Sequence, residues 1–385
     1  MRGFSVLVRR FAAGHSTAKP KNRAPPPTPR GACSNGSVTT LDDYEIRAAT
    51  LEHHESVCEL SRSLDTVNLP DEPEALRALL EISERSFRGE IAEPSKREYV
   101  FVLWDRRAQH AVGTSMVIGQ LGRRAAPYIY FDVREEEKYS ATLDKHFVHR
   151  VLATTYSYDG PTEIGGLVVH PDYRRRPERC GTFISYVRFL FIAMRRPDMR
   201  DEILAELLPP LEPDGTSHLW EAVGRRFTGL SYREADRLSK GNKEFIKNLF
   251  PDQIYATLLS EEAQRVIGEV GAQTLGVEKL LRRIGFDYAH RVDPFDGGPH
   301  YLAATDDITL VRGSAEVPVE LDPGAVRLDP ATRGLVLVAR QQVNPPYFFA
   351  LLGQRGPGAA VRVGPSSAER LEIGQGDRVW ALPLP

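Results

Sequence analysis

Four arginines stand in the stretch HPDYRRRPERCGTF, residues 170–183: Arg174, Arg175, Arg176 and Arg179, with Gly181 and Thr182 just after them. Residues of these types in this order capture an anion. The first turn of a helix carries unpaired backbone N–H groups and the positive end of the helix dipole. Glycine lets a phosphate approach those N–H groups, and arginines add fixed charge and bidentate donors. The spacing therefore places an anionic cofactor at Gly181 and Thr182, with Arg174, Arg176 and Arg179 around it. A solvated basic loop before an ordinary core helix would read the same way, so the stretch alone leaves both readings open. No Gly-x-Gly-x-x-Gly follows a strand, which argues against a Rossmann site, and no Gly-Lys-Ser/Thr is present for a P-loop.

Other reactive residue types are sparse. His146 and His149 lie three apart in FVHRVLATTYSY, but no carboxylate or thiolate completes a ligand set, so no metal is expected. A polar strand edge lining a substrate cleft fits them better. Cys33, Cys58 and Cys180 form no CxxC pair, and Cys180 reads as a small loop residue rather than a nucleophile. A reducing cytoplasm fits this cysteine usage.

The elements that would position the anion site are a strand before it and a helix after it. Ile164 to His170 is a short β-branched run ended by Pro171, and Gly181 opens an apolar segment running through Phe183, Ile184, Val187, Phe189, Leu190 and Ile192. In the rest of the chain, residues 1–41 form a separate regime with seven Lys/Arg and no Asp or Glu. This basic, proline-rich tail is expected to be disordered. Met1 to His15 has the Arg-rich, acid-free character of a mitochondrial transit peptide, though a plain tail is the preferred reading. Folded sequence starts near Tyr44. YEIRAAT reads as a strand, residues 52–64 as a helix, and the stretch from Pro70 as another helix. Tyr99 to Trp104 and Ala111 to Ile118 read as paired strands. Within 138–158 one strand is expected, 202–207 reads as a further strand, and HLWEAVGRR (218–226) as one helix. Residues 231–250 read as helix, turn, helix. VEKLLRRIGF is a helix capped by Gly285, with a strand directly after it. From about Thr305 short strands alternate with Gly and Pro, so residues 305–385 are expected to form a small β-barrel or sandwich.

Charges nearly balance, at 50 basic and 52 acidic residues, so nothing global points to nucleic acid or a membrane surface. No apolar run approaches the roughly 20 residues a membrane helix needs.

The strand, basic turn and helix around Gly181 resemble the coenzyme A loop of GNAT-type N-acyltransferases. Several blocks together resemble, more closely, the arginine N-succinyltransferases. They are ISERSFRGE (82–90), YVFVL with VGTS (99–115), HPDYR (170–174), FISYVRFLFIA (183–193), DGTSHLWEAVGRRF (214–227), ADRLSKGNKEFI (235–246), IGFDYAHRVDPFDGGP (284–299) and IGQGDRVWALPL (373–384). They fall in the family's order and span about residues 44–384. The resemblance implies an α+β, GNAT-like acyl-CoA N-acyltransferase fold, a mixed central sheet flanked by helices over 42–304, with a small C-terminal β-barrel domain over 305–385. It implies succinyl-CoA as acyl donor, the α-amine of arginine as acceptor, no metal, and assembly with itself or a paralogous subunit. Tyr158, Gly160 and Glu163 match the family; its Asn-Asp pair before the tyrosine does not recur, the phosphate loop is altered and longer, and Arg226 stands where the family has histidine. Transfer to ornithine or another amine, and a non-catalytic partner subunit, stay open as alternatives.

On that reading Glu163, entering the strand beside the donor, would take the proton of the amine. A plain strand-end charge is its alternative. Backbone N–H groups near Leu167 to Val169 would steady the oxyanion. Tyr158, Tyr186 and Tyr232 are unranked candidates to protonate the thiolate. Arg226 and Lys243 would meet substrate carboxylates, and Asp293 and Asp296 the guanidinium of arginine.

Overall fold

The computed structural model describes residues 40–62, 69–70, 72–212, 214–239, 241–323 and 328–385. The tail expected over 1–41 lies outside the described residues up to residue 39; Thr40 and Leu41 belong to the fold, both buried, with Leu41 N–H donating to the Leu328 carbonyl at 2.8 Å.

The frame is one fifteen-stranded sheet. Its strands are β1 (Tyr44–Ala48), β2 (Glu98–Asp105), β3 (His110–Ile118), β4 (Tyr128–Ser140), β5 (Lys145–Ser157), β6 (Thr162–Val169), β7 (Glu202–Glu206), β8 (Gln253–Tyr255), β9 (Asp287–Val292), β10 (Pro299–Ala304), β11 (Ala315–Leu321), β12 (Leu335–Gln341), β13 (Phe348–Arg355), β14 (Val361–Val363) and β15 (Arg378–Pro383). The first ten lie in the order β1-β2-β3-β6-β7-β10-β9-β4-β5-β8. The last five run β12-β15-β11-β14-β13 and close into a barrel because β12 also pairs β13. A small C-terminal barrel was the sequence expectation. It is joined edge to edge with the main sheet, since β13 also pairs β1, with Ile46 opposite Ala350. The fold is α+β, and its pairings are antiparallel except β6–β7 and β11–β14.

The helices are α1 (His54–Ser61), α2 (Pro73–Phe87), α3 (Cys180–Met194), α4 (His218–Ala222), α5 (Gly224–Thr228), α6 (Tyr232–Ser239), α7 (Glu244–Leu249), α8 (Glu261–Val266), α9 (Leu275–Ile284), α10 (Thr309–Arg312) and α11 (Pro365–Leu371). Side chains alternate across β2 and sort the helices onto two faces. Val100 and Val102 pack with Leu60 of α1 and Leu76 and Leu80 of α2. Tyr99, Phe101 and Leu103 pack with Phe183, Val187 and Phe191 of α3, in a core that also takes Leu281 and Ile284 of α9. Helix α3 is apolar almost all round, as a helix enclosed on every side must be. Helix α9 stops at Gly285, whose φ of 110° suits glycine, and Phe286 N–H bonds back to the Leu281 carbonyl at 3.0 Å.

Two expectations are corrected. The stretch 138–158 belongs to two 13-residue strands, β4 and β5, paired along their whole length as an arm. The run Arg134 to Lys138 in β4 is polar on both faces because both faces are largely exposed, so no alternation marked it. The helix expected over 218–226 breaks at Val223 into α4 and α5. The Trp220 ring lies against Gly224, where a Cβ would stand 2.2 Å from Cε3, and its Nε1 donates to the Leu230 carbonyl at 2.9 Å.

Candidate active site

The parallel pair β6–β7 is joined only at its start, by Thr162 opposite Ile203 and Glu163 opposite Leu204. Beyond Glu163, β6 runs on to Val169 without β7. A bulge re-aims it there: the register with β3 shifts between Thr114 and Met116, opposite Val168 and Gly165. Gly166 sits in the bulge with φ of 55°, and a Cβ on it would meet Met116 Cγ at 2.9 Å. Only glycine takes this backbone without strain.

The parted strands open a cavity of about 1050 Å³. Ala78, Leu79 and Ile82 of α2 line it on one face of the sheet, and Arg188 of α3 with Val277 and Leu281 of α9 on the other. The cavity therefore crosses the sheet through the gap, with Glu163, Ile164, Gly165, Gly166 and Leu167 along its wall. Glu163 is 4% exposed.

One end of the cavity is crowded with charge. Glu206, at the end of β7, and Asp293 and Asp296, in the turn between β9 and β10, line it together with Lys243, Tyr232 and Asp236. The turn is held by its own carboxylates: Asp293 Oδ1 accepts from Phe295 N–H at 2.7 Å and Asp296 Oδ1 from Gly298 N–H at 2.8 Å. His300, fully buried on β10, faces Glu206 with Nε2 at 3.3 Å from Oε1, while its Nδ1 is 2.9 Å from the Tyr128 hydroxyl. Burial holds the His300 imidazole down at about 4, so it is neutral near pH 7. Burial also raises the carboxyl of Glu206, against the pull of Lys243. Asp293 is pushed up to about 6 by burial and then by Glu206, and Asp296 well above its ordinary value by burial and then by Asp293. The Glu206 side chain is 34% accessible and lines the cavity. These groups gain by taking up a cation. The ligand atoms of Glu206, Asp293 and His300 lie within 4.8 Å of one another, a spacing that suits a metal ion. It suits an organic cation too.

The structure brings Glu163, Leu167, Tyr232, Lys243, Asp293 and Asp296 to this one cavity. The other residues singled out from sequence lie elsewhere. Tyr158 is 44% exposed beyond the end of β5, where Lys247 Nζ donates to its hydroxyl at 3.0 Å. Arg226 is exposed on α5. Tyr186 is buried away from the cavity, whereas Tyr232, inside it, donates to Asp296 Oδ2 at 3.5 Å. His146 and His149 stand on the exposed arm, against Glu137 and Thr257.

At the other end of the sheet gap, the basic loop is turned onto its own surroundings. Arg174 Nε donates to the Val169 carbonyl at 2.7 Å, Arg176 lies 4.3 Å over the Tyr173 ring, and Arg179 Nη1 donates to the Pro385 carbonyl at 3.3 Å. Arg179, with φ of 55°, caps α3, and Thr182 N–H bonds its carbonyl at 2.8 Å. Gly181 faces Val169, its notional Cβ 3.7 Å from Cγ2. Arg179 and Thr182 line a second cavity of about 280 Å³ with Arg333 and Leu384. Cys180 is buried, and burial followed by Glu178 pushes its thiol up to about 12, which makes it inert.

Glu206, His300 and Arg188 were not singled out from sequence. Glu206 and His300 come from separate strands paired opposite each other, a proximity that spacing does not reveal. Arg188 did carry a signal, as a lone cation inside FISYVRFLFIA.

Comparison with known proteins bears on this geometry. The family model described as arginine N-succinyltransferase beta subunit matches residues 44–310. An arginine N-succinyltransferase of Yersinia pestis is 34% identical over 323 residues, covering 82% of this chain and 90% of that one. The arginine N-succinyltransferase subunit beta of Pseudomonas aeruginosa is 33% identical over 346 residues, covering 88% and 98%. The solved structure of arginine/ornithine succinyltransferase subunit AI from Pseudomonas aeruginosa superposes with a TM-score of 0.74 at 27% identity, covering 89% of this chain and 99% of that one.

Proposed function

Since the chain belongs to the arginine N-succinyltransferase family, we propose that it moves a succinyl group from succinyl-CoA to the α-amine of arginine. The observation that carries this reading is the sheet-crossing cavity, with Glu163 at the parting of β6 and β7 and a carboxylate cluster at its end. A splayed parallel pair with a bulged strand and a following helix supports the GNAT-type reading of the fold, with residues from 305 on as an appended module.

In the reaction the amine nitrogen attacks the thioester carbon. A C–N bond forms, the C–S bond breaks, the amine loses a proton and the thiolate gains one. Glu163 takes the amine proton on this reading, directly or through water. Backbone N–H groups of the bulge around Leu167 face the carbonyl oxygen, where charge develops. Asp293 and Asp296, with Glu206, hold the guanidinium of arginine, and Lys243 its carboxylate. The cation these carboxylates take up is thus the substrate itself, and added chelator leaves the rate unchanged. Arg174, Arg176, Arg179, Gly181 and Thr182 would carry the phosphates of the donor at the start of α3 after giving up their present contacts.

The protein also has a surface for assembly. The β4–β5 arm exposes Tyr139 (66%), Leu143 (66%), Phe147 (54%) and Val148 (51%). Apolar groups at such density suit burial against a second copy or a paralogous subunit.

Thiol release from succinyl-CoA or acetyl-CoA with arginine, ornithine and other amines tests the proposal. Release with succinyl-CoA and arginine above all other pairs is the expected result. Release with a different amine would reassign the acceptor. No release with any pair would leave a binding subunit in place of an enzyme.

A further inference from the structure

Arg188 stands in the middle of α3, eight residues past Cys180, or about 12 Å along the helix. It is 3% exposed, yet it lines the same cavity as Glu163 and the β6 bulge. Its only protein hydrogen bonds among the described residues go to Ser185: Nε to the carbonyl at 3.0 Å and Nη2 to Oγ at 2.8 Å. A guanidinium has five N–H donors, so both N–H groups of Nη1 are left for something in the cavity. Burial alone lowers the pKa, to about 9, and no nearby acid offsets it.

The fold treats another buried charge differently. Glu45, with a fully buried side chain, is met by Arg47, by Arg106 at 3.8 Å and by Arg370 at 2.6 Å. A buried ion without a counter-ion costs several kcal/mol. A cation kept at that cost on a cavity wall is complementary to an anion that arrives with a ligand. Its position is fixed, because Ser115 Oγ donates to the Ile184 carbonyl at 2.7 Å and pins α3 to β3 one turn before Arg188.

We infer that Arg188 binds the free carboxylate at the far end of the transferred acyl chain, so that the cavity selects a dicarboxylic half-thioester over a neutral acyl-CoA. This rests on the reading of the cavity as an acyl-CoA site. A planar guanidinium edge meets a carboxylate with two parallel hydrogen bonds. The acceptor's own carboxylate is the other source of the same chemistry. Lys243 already stands for it at the carboxylate cluster, with Tyr232 and Asp236 of α6 beside it, whereas Arg188 belongs to the α3–α9 side.

The test compares succinyl-CoA with butyryl-CoA, its neutral counterpart of equal chain length, on the full chain and on Arg188→Met and Arg188→Lys. Acceptors are arginine and agmatine, which lacks the carboxylate. The wild type is expected to prefer succinyl-CoA. In Arg188→Met its kcat/KM falls ~10- to 100-fold, butyryl-CoA stays within about threefold, and Arg188→Lys recovers part of the loss. Thermal melts identify any variant that fails to fold. A parallel fall for both donors would overturn the inference, and so would a loss seen with arginine but not agmatine, which would assign Arg188 to the acceptor. Calorimetric binding of the two thioesters without acceptor separates this failure from failure of the proposed reaction. A chain that turns over nothing yet binds succinyl-CoA more tightly only while Arg188 is present retains the inference. Equal binding of the two thioesters by the wild type removes it.

Discussion

The barrel and the main sheet handle strand pairing in opposite ways. In the barrel, β12 pairs both β15 and β13, so the ring closes. In the main sheet β6 and β7 share two residue pairs and part. Closure satisfies backbone groups with one another and leaves a packed interior of Val338, Leu351, Val361 and Leu371. Parting leaves main-chain groups of β6 along a cavity wall, where they can serve a ligand. Binding capacity thus lies where pairing stops, and the same chain contains its own control region in which pairing does not stop.

Four changes test that contrast. The largest effect is expected at the parting point: Glu163→Gln lowers kcat by ~10²- to 10⁴-fold with little change in either KM, read by steady-state thiol release. An unchanged rate and pH profile would remove Glu163 as the base. Next is the seam between the regions. Phe348 of β13 packs edge-on against Phe101, at 5.2 Å between ring centres, and against Phe191, at 5.5 Å. Phe348→Ala should cost ~3–5 kcal/mol and leave one denaturant transition, because barrel and sheet share this core. Two separate transitions would show that the barrel unfolds by itself.

The third concerns the charged end. Asp293→Asn should raise the arginine KM about tenfold. Its carboxyl is raised from 3.8 to about 6. Between those values the folded chain holds more protons than the unfolded one, so stability without substrate falls as pH rises through that window. Arginine binding moves the other way and tightens as pH rises through about 6. Asp293→Asn should flatten both curves, and curves unchanged by the substitution would assign the titration to another group. The smallest effect is at the bulge. Gly166→Ala puts a Cβ at positive φ and should cost ~1–2 kcal/mol, with Met116 shifting to make room; a neutral melt would mean the strand relaxes.

Much of the architecture was legible because its periods were regular. β2 and β3 are short apolar runs separated by a polar turn, α9 ends on Gly285, and the short strands after Thr305 carry Gly and Pro between them. β4 was hidden because its run Arg134 to Lys138 is polar on both of its largely exposed faces, which erases the two-residue period. The site was legible in part. Asp293 and Asp296 stand out as carboxylates in a tight turn, and Glu163 as a charge at a strand head. Glu206 and His300 become neighbours only through the pairing of β7 with β10, with Glu206 opposite His300. The arginine run drew attention by its density, yet dense charge finds solvent and neighbours. Arg188 was isolated among apolar residues, and isolation was the more informative property.

The union of β1 with β13 has a bearing on truncation. A chain cut before Ala315 would lose the strand that covers β1 and bare the backbone of Tyr44–Ala48 along a sheet border. Exposed borders recruit further chains. Such a fragment should precipitate or form fibrils instead of behaving as a free-standing enzyme, so the barrel doubles as a guard on that flank.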